Sequence, residues 1–287
     1  MNNDSKKLRS IIQKISGQRT TEGGGLPILR PFPTRILDHV DPFLLFDEAG
    51  PVMPKATDGD VDMNDHPHRG FETLTYVLEG ELDSHDSSGF HDYFYPGDVE
   101  WTTAGGGIIH GGAPRPGSGA MHGIQLWINL PRAQKWIPAK SQRIAASTIP
   151  NIERDGYNVK ILGGSVDGVE GPVKTTWPIT YLHYTLKPNG NVSIDIPEEE
   201  NAILWVLNGE VSVQGARIGK GELGITGYGE RIEFTNPRDS ETELVLLAGK
   251  PIGEPVARYG PFVMNERDEV FQAFDDFNAG KFAPIVK

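Results

Sequence analysis

The chain has 287 residues, 39 acidic against 27 basic, a formal net charge of −12 and no cysteine. The acidic balance, with no Lys/Arg tract, excludes nucleic-acid binding driven by phosphate contacts and a basic membrane-binding face. Without cysteine there are no disulfides, thiolate nucleophiles, zinc ribbons or iron–sulfur clusters, so any metal must be held by nitrogen and oxygen.

The N-terminal stretch has no apolar h-region, and no apolar run approaches the roughly 18–20 residues of a membrane span, so a cytoplasmic protein with no membrane role is expected. Residues 1–25 are polar and end in Gly23-Gly24-Gly25. They read as a weakly ordered arm with a short helix around Leu8–Ile15. From Leu26 onward, short β-rich runs alternate with turn signals, as in Thr73–Leu78, in Asp92–Tyr95 before Pro96-Gly97-Asp98, and in Gly123–Asn129. Pro131 to Pro150 reads as a connection, and a second β-rich block runs from Val159 to Leu247. Near the end, Val270, Phe271, Phe274 and Phe277 follow a helical period, which predicts a helix over Asn265–Asn278 with Asn265 as cap and Gly280 as stop. The organisation is all-β with one short C-terminal helix, divided as an arm (1–25), a first domain (26–145) and a second (146–287).

The two β-rich blocks look like copies. TLTYVLEGEL at 73–82 aligns with AILWVLNGEV at 202–211, and Pro96-Gly97-Asp98 aligns with Lys220-Gly221-Glu222. The same alignment carries His66 and His68 onto Asp195 and Pro197, and His110 onto Phe234. The second block thus keeps the scaffold without the histidines, and a metal site is expected in the first block only.

His66-Pro67-His68 is the most specific motif. Histidines at i and i+2 of a strand face the same side. His110, reached after Gly105-Gly106-Gly107, can supply a third imidazole from another strand, because glycines let the backbone turn tightly and approach its neighbour. The glycine run meets neither the spacing nor the helical context of a phosphate loop. His39, His85, His91, His122 and His183 read as satisfied or exposed side chains. Trp101, Trp127, Phe43 and Phe46 are candidates for lining an aromatic pocket or for plain core.

HPHRGFETLTYVLEG, Tyr95-Pro96-Gly97-Asp98 and Trp101 through His110 together resemble the pirin family of bicupins. So do Asp41 through Glu48, Gly123 through Leu130, and Tyr259 through Asn265. The resemblance covers roughly residues 27 to 280. It implies two cupin-type β-barrels, with one metal, usually iron, in the first. It assigns His66, His68 and His110 as ligands, but the family's fourth ligand, a glutamate, falls on Gly112. Three neutral imidazoles leave a divalent ion its full charge, which weakens retention of Fe(II) or Mn(II) and opens positions for a substrate. Water, or a swing of Glu72, Asp65 or His122, fills that corner, or the site is empty or structural. Fe(II) is the first choice of metal, with Mn, Ni, Cu and Zn open. Some pirins are similar to quercetin 2,3-dioxygenases and others act through protein partners. The leading expectation is therefore an O2-dependent dioxygenase of a flavonol or enediol, with Glu72 as general base. The alternative is a metal- or redox-sensing regulator that binds another protein.

Overall fold

The computed structural model describes residues 6–22, 25–53 and 64–282. Gly23 and Gly24 of the glycine run lie outside the described residues. The chain forms two compact units. One joins the chain before Gln18 to Ile149–Pro251, and the other joins Gln18–Thr148 to the chain from Ile252.

The unit holding Gln18–Thr148 pairs a seven-stranded with a four-stranded antiparallel sheet. The larger runs Lys140–Ile144, Val99–Thr103, Phe71–Glu79, Met121–Asn129, Phe43–Val52, Leu26–Phe32, Gln18–Glu22. The smaller runs His66–His68, Ile108–Pro114, Leu82–Asp86, His91–Phe94. The unit holding Ile149–Pro251 repeats this order. Its larger sheet runs Ile11–Ser16, Glu222–Thr226, Asn201–Asn208, Thr242–Gly249, Ile179–Leu186, Tyr157–Gly163, Asn151–Arg154. Its smaller sheet runs Asn191–Asp195, Arg231–Thr235, Glu210–Val213, Ala216–Gly219. The segments 73–82 and 202–211 occupy matching places, so the internal duplication is real at the level of strand order.

The matching topology explains where the N-terminal segment goes. Ile11–Ser16 is a strand, not part of a loose arm or helix. It pairs antiparallel with Glu222–Thr226, taking the edge place that Lys140–Ile144 takes in the other unit. The exposed edge of Glu222–Thr226 offers unpaired backbone groups that need partners, and a local reading of the polar segment cannot see that demand. Ile15 is buried there, and the fully buried Arg9 donates to the carbonyls of Gly229 (2.9 Å), Glu200 (2.8 Å) and Pro197 (2.6 Å). Gln18–Glu22 forms a hairpin with Leu26–Phe32.

The tail from Ile252 packs with the first β-rich block rather than the second. Phe262, Met264, Val270, Ala273 and Phe282 cluster with Ile109, and Val263 packs with Leu44 and Phe71. Arg69 donates to Asp276 of the C-terminal helix at 2.8 Å, both side chains nearly buried. The helix is Arg267–Asn278. Its cap is Glu266, in a capping box with Glu269, rather than the expected Asn265. The Asn265 side chain is committed instead to the Pro255 carbonyl and to Glu254. No helix among the described residues is long and apolar enough to cross a membrane.

The two interiors differ. Around the sheets of the Ile149–Pro251 unit, one continuous apolar core includes Ile196, Val213, Ile232 and Phe234, with Ile194 packed against it. In the other unit the corresponding wall carries the histidines. Register shows which residues correspond. His110 pairs with His66 as Ile232 pairs with Ile194, and Gly112 pairs with Ser84 as Phe234 pairs with Val213. The counterparts of the histidines are therefore apolar: Ile194, Ile196 and Ile232. The sequence alignment, which put them on Asp195, Pro197 and Phe234, is wrong by one residue for the pair and by two for His110. A slip of one residue turns a strand side chain to the other face. Asp195 points outward and pairs with Arg231 at 2.7 Å.

Candidate metal centre

His66 and His68 come from one short strand, and His110 lies directly across from His66 on the next. The ring centroids are 4.6 Å apart for His66–His68 and His66–His110, and 4.9 Å for His68–His110. One nitrogen from each ring lies within 4.8 Å of the other two. The structure thus brings together the three histidines singled out in the sequence.

Their tautomers follow from their partners. His66 Nδ1 is 2.6 Å from the Asn64 carbonyl, and His68 Nδ1 is 3.2 Å from the Pro261 carbonyl. A carbonyl only accepts, so each Nδ1 carries the proton and each Nε2 presents a lone pair. Those two Nε2 atoms stand 3.1 Å apart, lone pair toward lone pair. His110 Nε2 is buried with no hydrogen-bond partner among the described residues. Two lone-pair nitrogens converging without a proton between them, beside a buried His110 nitrogen with no partner among the described residues, fit a shared cation, and the carbonyls behind His66 and His68 are the outer partners that orient metal-binding imidazoles. Burial, reinforced by neighbouring rings, holds His68 well below the ordinary histidine range and pushes His110 down to about 3. Both are neutral at pH 7, the form that binds metal.

Next to the rings, Trp127 lies 5.0 Å from His68 and stacks on Phe71 at 4.3 Å, making an aromatic wall. Trp127 Nε1 is buried without an acceptor among the described residues. The other aromatic candidates stay away from the histidines. Phe46 packs on Phe32, Phe43 is core, and Trp101 donates to Glu72.

Glu72 is not brought to the histidines. Its Oε1 accepts from Trp101 Nε1 (3.2 Å) and Thr103 Oγ1 (2.7 Å), on the sheet face opposite Phe71 and Trp127. The even spacing from His68 misleads because the strand is broken at Gly70, where φ is +91°. A Cβ there would lie 1.9 Å from the Val263 carbonyl oxygen, so only glycine fits. Past that break the inward parity changes, and Phe71 takes the place expected for Glu72. The other candidates for the fourth corner are also engaged elsewhere: Asp65 with His85 at 2.8 Å, and His122 with Glu48 at 2.9 Å.

Gly112 lies two residues beyond His110, on the same face and opposite Ser84. A Cβ at Gly112 would meet the Asp83 carbonyl oxygen at 3.2 Å and the Ser84 Cβ at 3.7 Å. Sequence reasoning missed a buried acid close by. Glu100 is 4% exposed, and its Oε1 accepts from Ser84 Oγ at 2.5 Å. Burial pushes its carboxyl up to about 7 against the pull of the Ser84 and Thr75 hydroxyls, with the Asp86 carboxylate adding to the rise. The sequence offers one signal, a glutamate set between apolar Val99 and Trp101; the structure shows every residue of that strand buried.

Two cupin-type barrels, one lined with apolar side chains and one carrying three converging imidazoles, define a bicupin with one candidate metal centre among the described residues. Comparison with known families fits this architecture. The family model described as Pirin matches residues 26–128, and that described as Pirin C-terminal cupin domain matches residues 181–283. The chain is 38% identical over 276 residues to a pirin-like protein of Solanum lycopersicum, covering 95% of this chain and 92% of that one. It is 34% identical over 278 residues to Pirin of Homo sapiens, covering 95% and 93%. A crystal structure of quercetin 2,3-dioxygenase from Acinetobacter baumannii superposes with a TM-score of 0.90 at 32% identity, covering 97% of this chain and 100% of that one. The chain belongs to the pirin family.

Proposed function

We propose that His66, His68 and His110 hold one divalent metal through Nε2, Fe(II) first among candidates, and that the protein is an O2-dependent dioxygenase of flavonol or enediol substrates. The observation that carries the metal reading is the convergence of the Nε2 lone pairs of His66 and His68, 3.1 Å apart, with the partnerless Nε2 of His110 beside them. The likeness to a quercetin 2,3-dioxygenase supports the substrate class. When bound, the metal would polarise the enolate oxygens of such a substrate and bring O2 to it. The protein's own part is to orient the three rings through the carbonyls of Asn64 and Pro261 and to offer the Phe71–Trp127 wall to a flat aromatic ring. Trp127 Nε1 supplies a free donor for a substrate oxygen. Glu72, hydrogen-bonded on the far face of its sheet, leaves this reading without the base expected from the sequence.

The test is metal content after anaerobic Fe(II) loading, followed by O2 uptake with quercetin. About one metal per chain and quercetin-dependent O2 uptake, both lost in His110→Ala, support the reading. Metal uptake without O2 uptake across several flavonols and enediols would favour the metal-sensing regulator. No metal uptake would defeat both.

A further inference from the structure

We infer that Glu100 is the anionic partner of the metal chamber, serving from a neighbouring strand in place of the carboxylate that position 112 does not carry. The inference rests on the reading that the three histidines hold a divalent ion. Register places the relevant groups on the inner faces of the two sheets. Asp86 is opposite His110, and Ser84 is opposite Gly112. Glu100 is opposite Thr75, which is opposite Gln125 on the face that also presents Trp127. Ser84 joins the two sheets, because its hydroxyl is 2.5 Å from Glu100 Oε1 while its Cβ is 3.7 Å from where a Gly112 Cβ would sit. The Glu100 carboxyl therefore borders the space that a longer side chain at 112 would enter.

Charge accounting points the same way. Glu100 and Asp86 are 4% and 2% exposed, and Asp86 Oδ2 has no hydrogen-bond partner among the described residues. Among the described residues, the groups that shift Glu100 are two hydroxyls and the Asp86 carboxylate, none of them a cation. Buried carboxylates without a cation are costly. A divalent ion on three neutral imidazoles keeps its full +2 charge, which an acid in the same chamber offsets. The two deficits are complementary: among the described residues the acids lack a cation and the imidazoles bring no anion. Ser84 Oγ also lies 3.2 Å from the Gly111 carbonyl, so the hydroxyl has a second acceptor when Glu100 turns toward the ion.

The experiment is an anaerobic Fe(II) titration of the full-length protein against a colorimetric chelator, in wild type, Glu100→Gln, Glu100→Asp and the double variant Glu100→Gln/Gly112→Glu. Circular dichroism and thermal melting of the metal-free forms establish folding. Loss of an outer partner of this kind weakens metal affinity by roughly 10–100-fold, and that is the loss expected for Glu100→Gln. Glu100→Asp, which keeps the charge, should lose less than that roughly 10–100-fold and stay nearer wild type. The double variant should recover most of the loss, because a carboxylate at 112 then supplies the missing charge; the readout that a merely structural role would not give is rescue by the charge-keeping Glu100→Asp. Wild-type affinity in a folded Glu100→Gln protein overturns the inference while leaving the three-histidine site intact. If Glu100→Gln fails to fold, a roughly 10–100-fold weakening in the folded, charge-keeping Glu100→Asp overturns the inference as well. If wild type itself takes up no Fe(II), the metal reading fails and the inference falls with it.

Discussion

Gly112→Glu puts a carboxylate into the open corner of the histidine chamber, and the structure lets its effect be worked out with and without metal. Gly112 has no left-handed backbone to strain, and the atoms nearest the new Cβ are the Asp83 carbonyl oxygen at 3.2 Å, Leu82 Cδ1 at 3.5 Å and Ser84 Cβ at 3.7 Å. A displacement of a few tenths of an ångström relieves the tightest of these, at a cost of about 1 kcal/mol, with repulsion from Glu100 and Asp86 added. The metal-free variant should therefore melt below wild type. With metal the sign reverses, because the carboxylate is aimed at a cation held by neutral ligands. If it tightens binding about 100-fold, stabilisation at saturating metal exceeds that of wild type by about 2.7 kcal/mol. For a domain of this size that is a metal-induced rise in Tm larger than wild type's by about 5–11 °C. The assay is differential scanning calorimetry of chelator-stripped protein, with and without a fixed excess of Fe(II) under anaerobic conditions. Equal metal-induced rises in the two proteins would refute the placement of position 112 beside the ion.

Glu100 should give metal-free protein a pH signature. Its carboxyl is raised to about 7 by burial, with Asp86 opposing ionisation and Ser84 and Thr75 favouring it. The native state then holds this proton while the unfolded chain has lost it, so the group's contribution is present below the unfolded pKa and is lost as pH rises through about 7. Glu100→Gln should remove that slope, gaining about 3 kcal/mol on wild type between pH 4.5 and 8, as measured by urea unfolding. Parallel pH profiles would count against it. Gly70→Ala combines a left-handed alanine with a Cβ 1.9 Å from the Val263 carbonyl oxygen. It should cost about 3 kcal/mol or more and displace His68, and a near-wild-type Tm would refute the strand break as the cause of the parity change. The buried Lys135 ammonium donates to the Gly70 and Val263 carbonyls and to Asn129 Oδ1. Lys135→Met leaves those three acceptors unpaired and should cost about 3 kcal/mol in chemical denaturation, so a change within 1 kcal/mol would contradict the account.

What was legible in the sequence was local. The alternation in His66-Pro67-His68 fixes a shared face within three residues, and the turn glycines and repeated strand pattern disclosed two copies of one sheet order. What was not legible depended on partners distant in the chain or on breaks in periodicity. Nothing in Ile11–Ser16 announces that the edge of Glu222–Thr226 requires it, and nothing in the C-terminal helix names Arg69 as its anchor. Strand parity counted from His68 points Glu72 inward, but the chain changes face at Gly70. Glu100 is distant in sequence from the His66–His68 pair, and it reaches the histidine sheet only through Ser84, a contact between sheets that no local pattern encodes.

The central claim is that three Nε2 atoms share one ion. It is tested most directly by a crystal structure of Fe(II)-loaded protein with an anomalous difference map recorded at the iron edge. The account predicts one peak per chain in the His110-bearing barrel, about 2.0–2.2 Å from Nε2 of His66, His68 and His110. A loaded crystal with no peak there, or with the peak bound elsewhere, would contradict it.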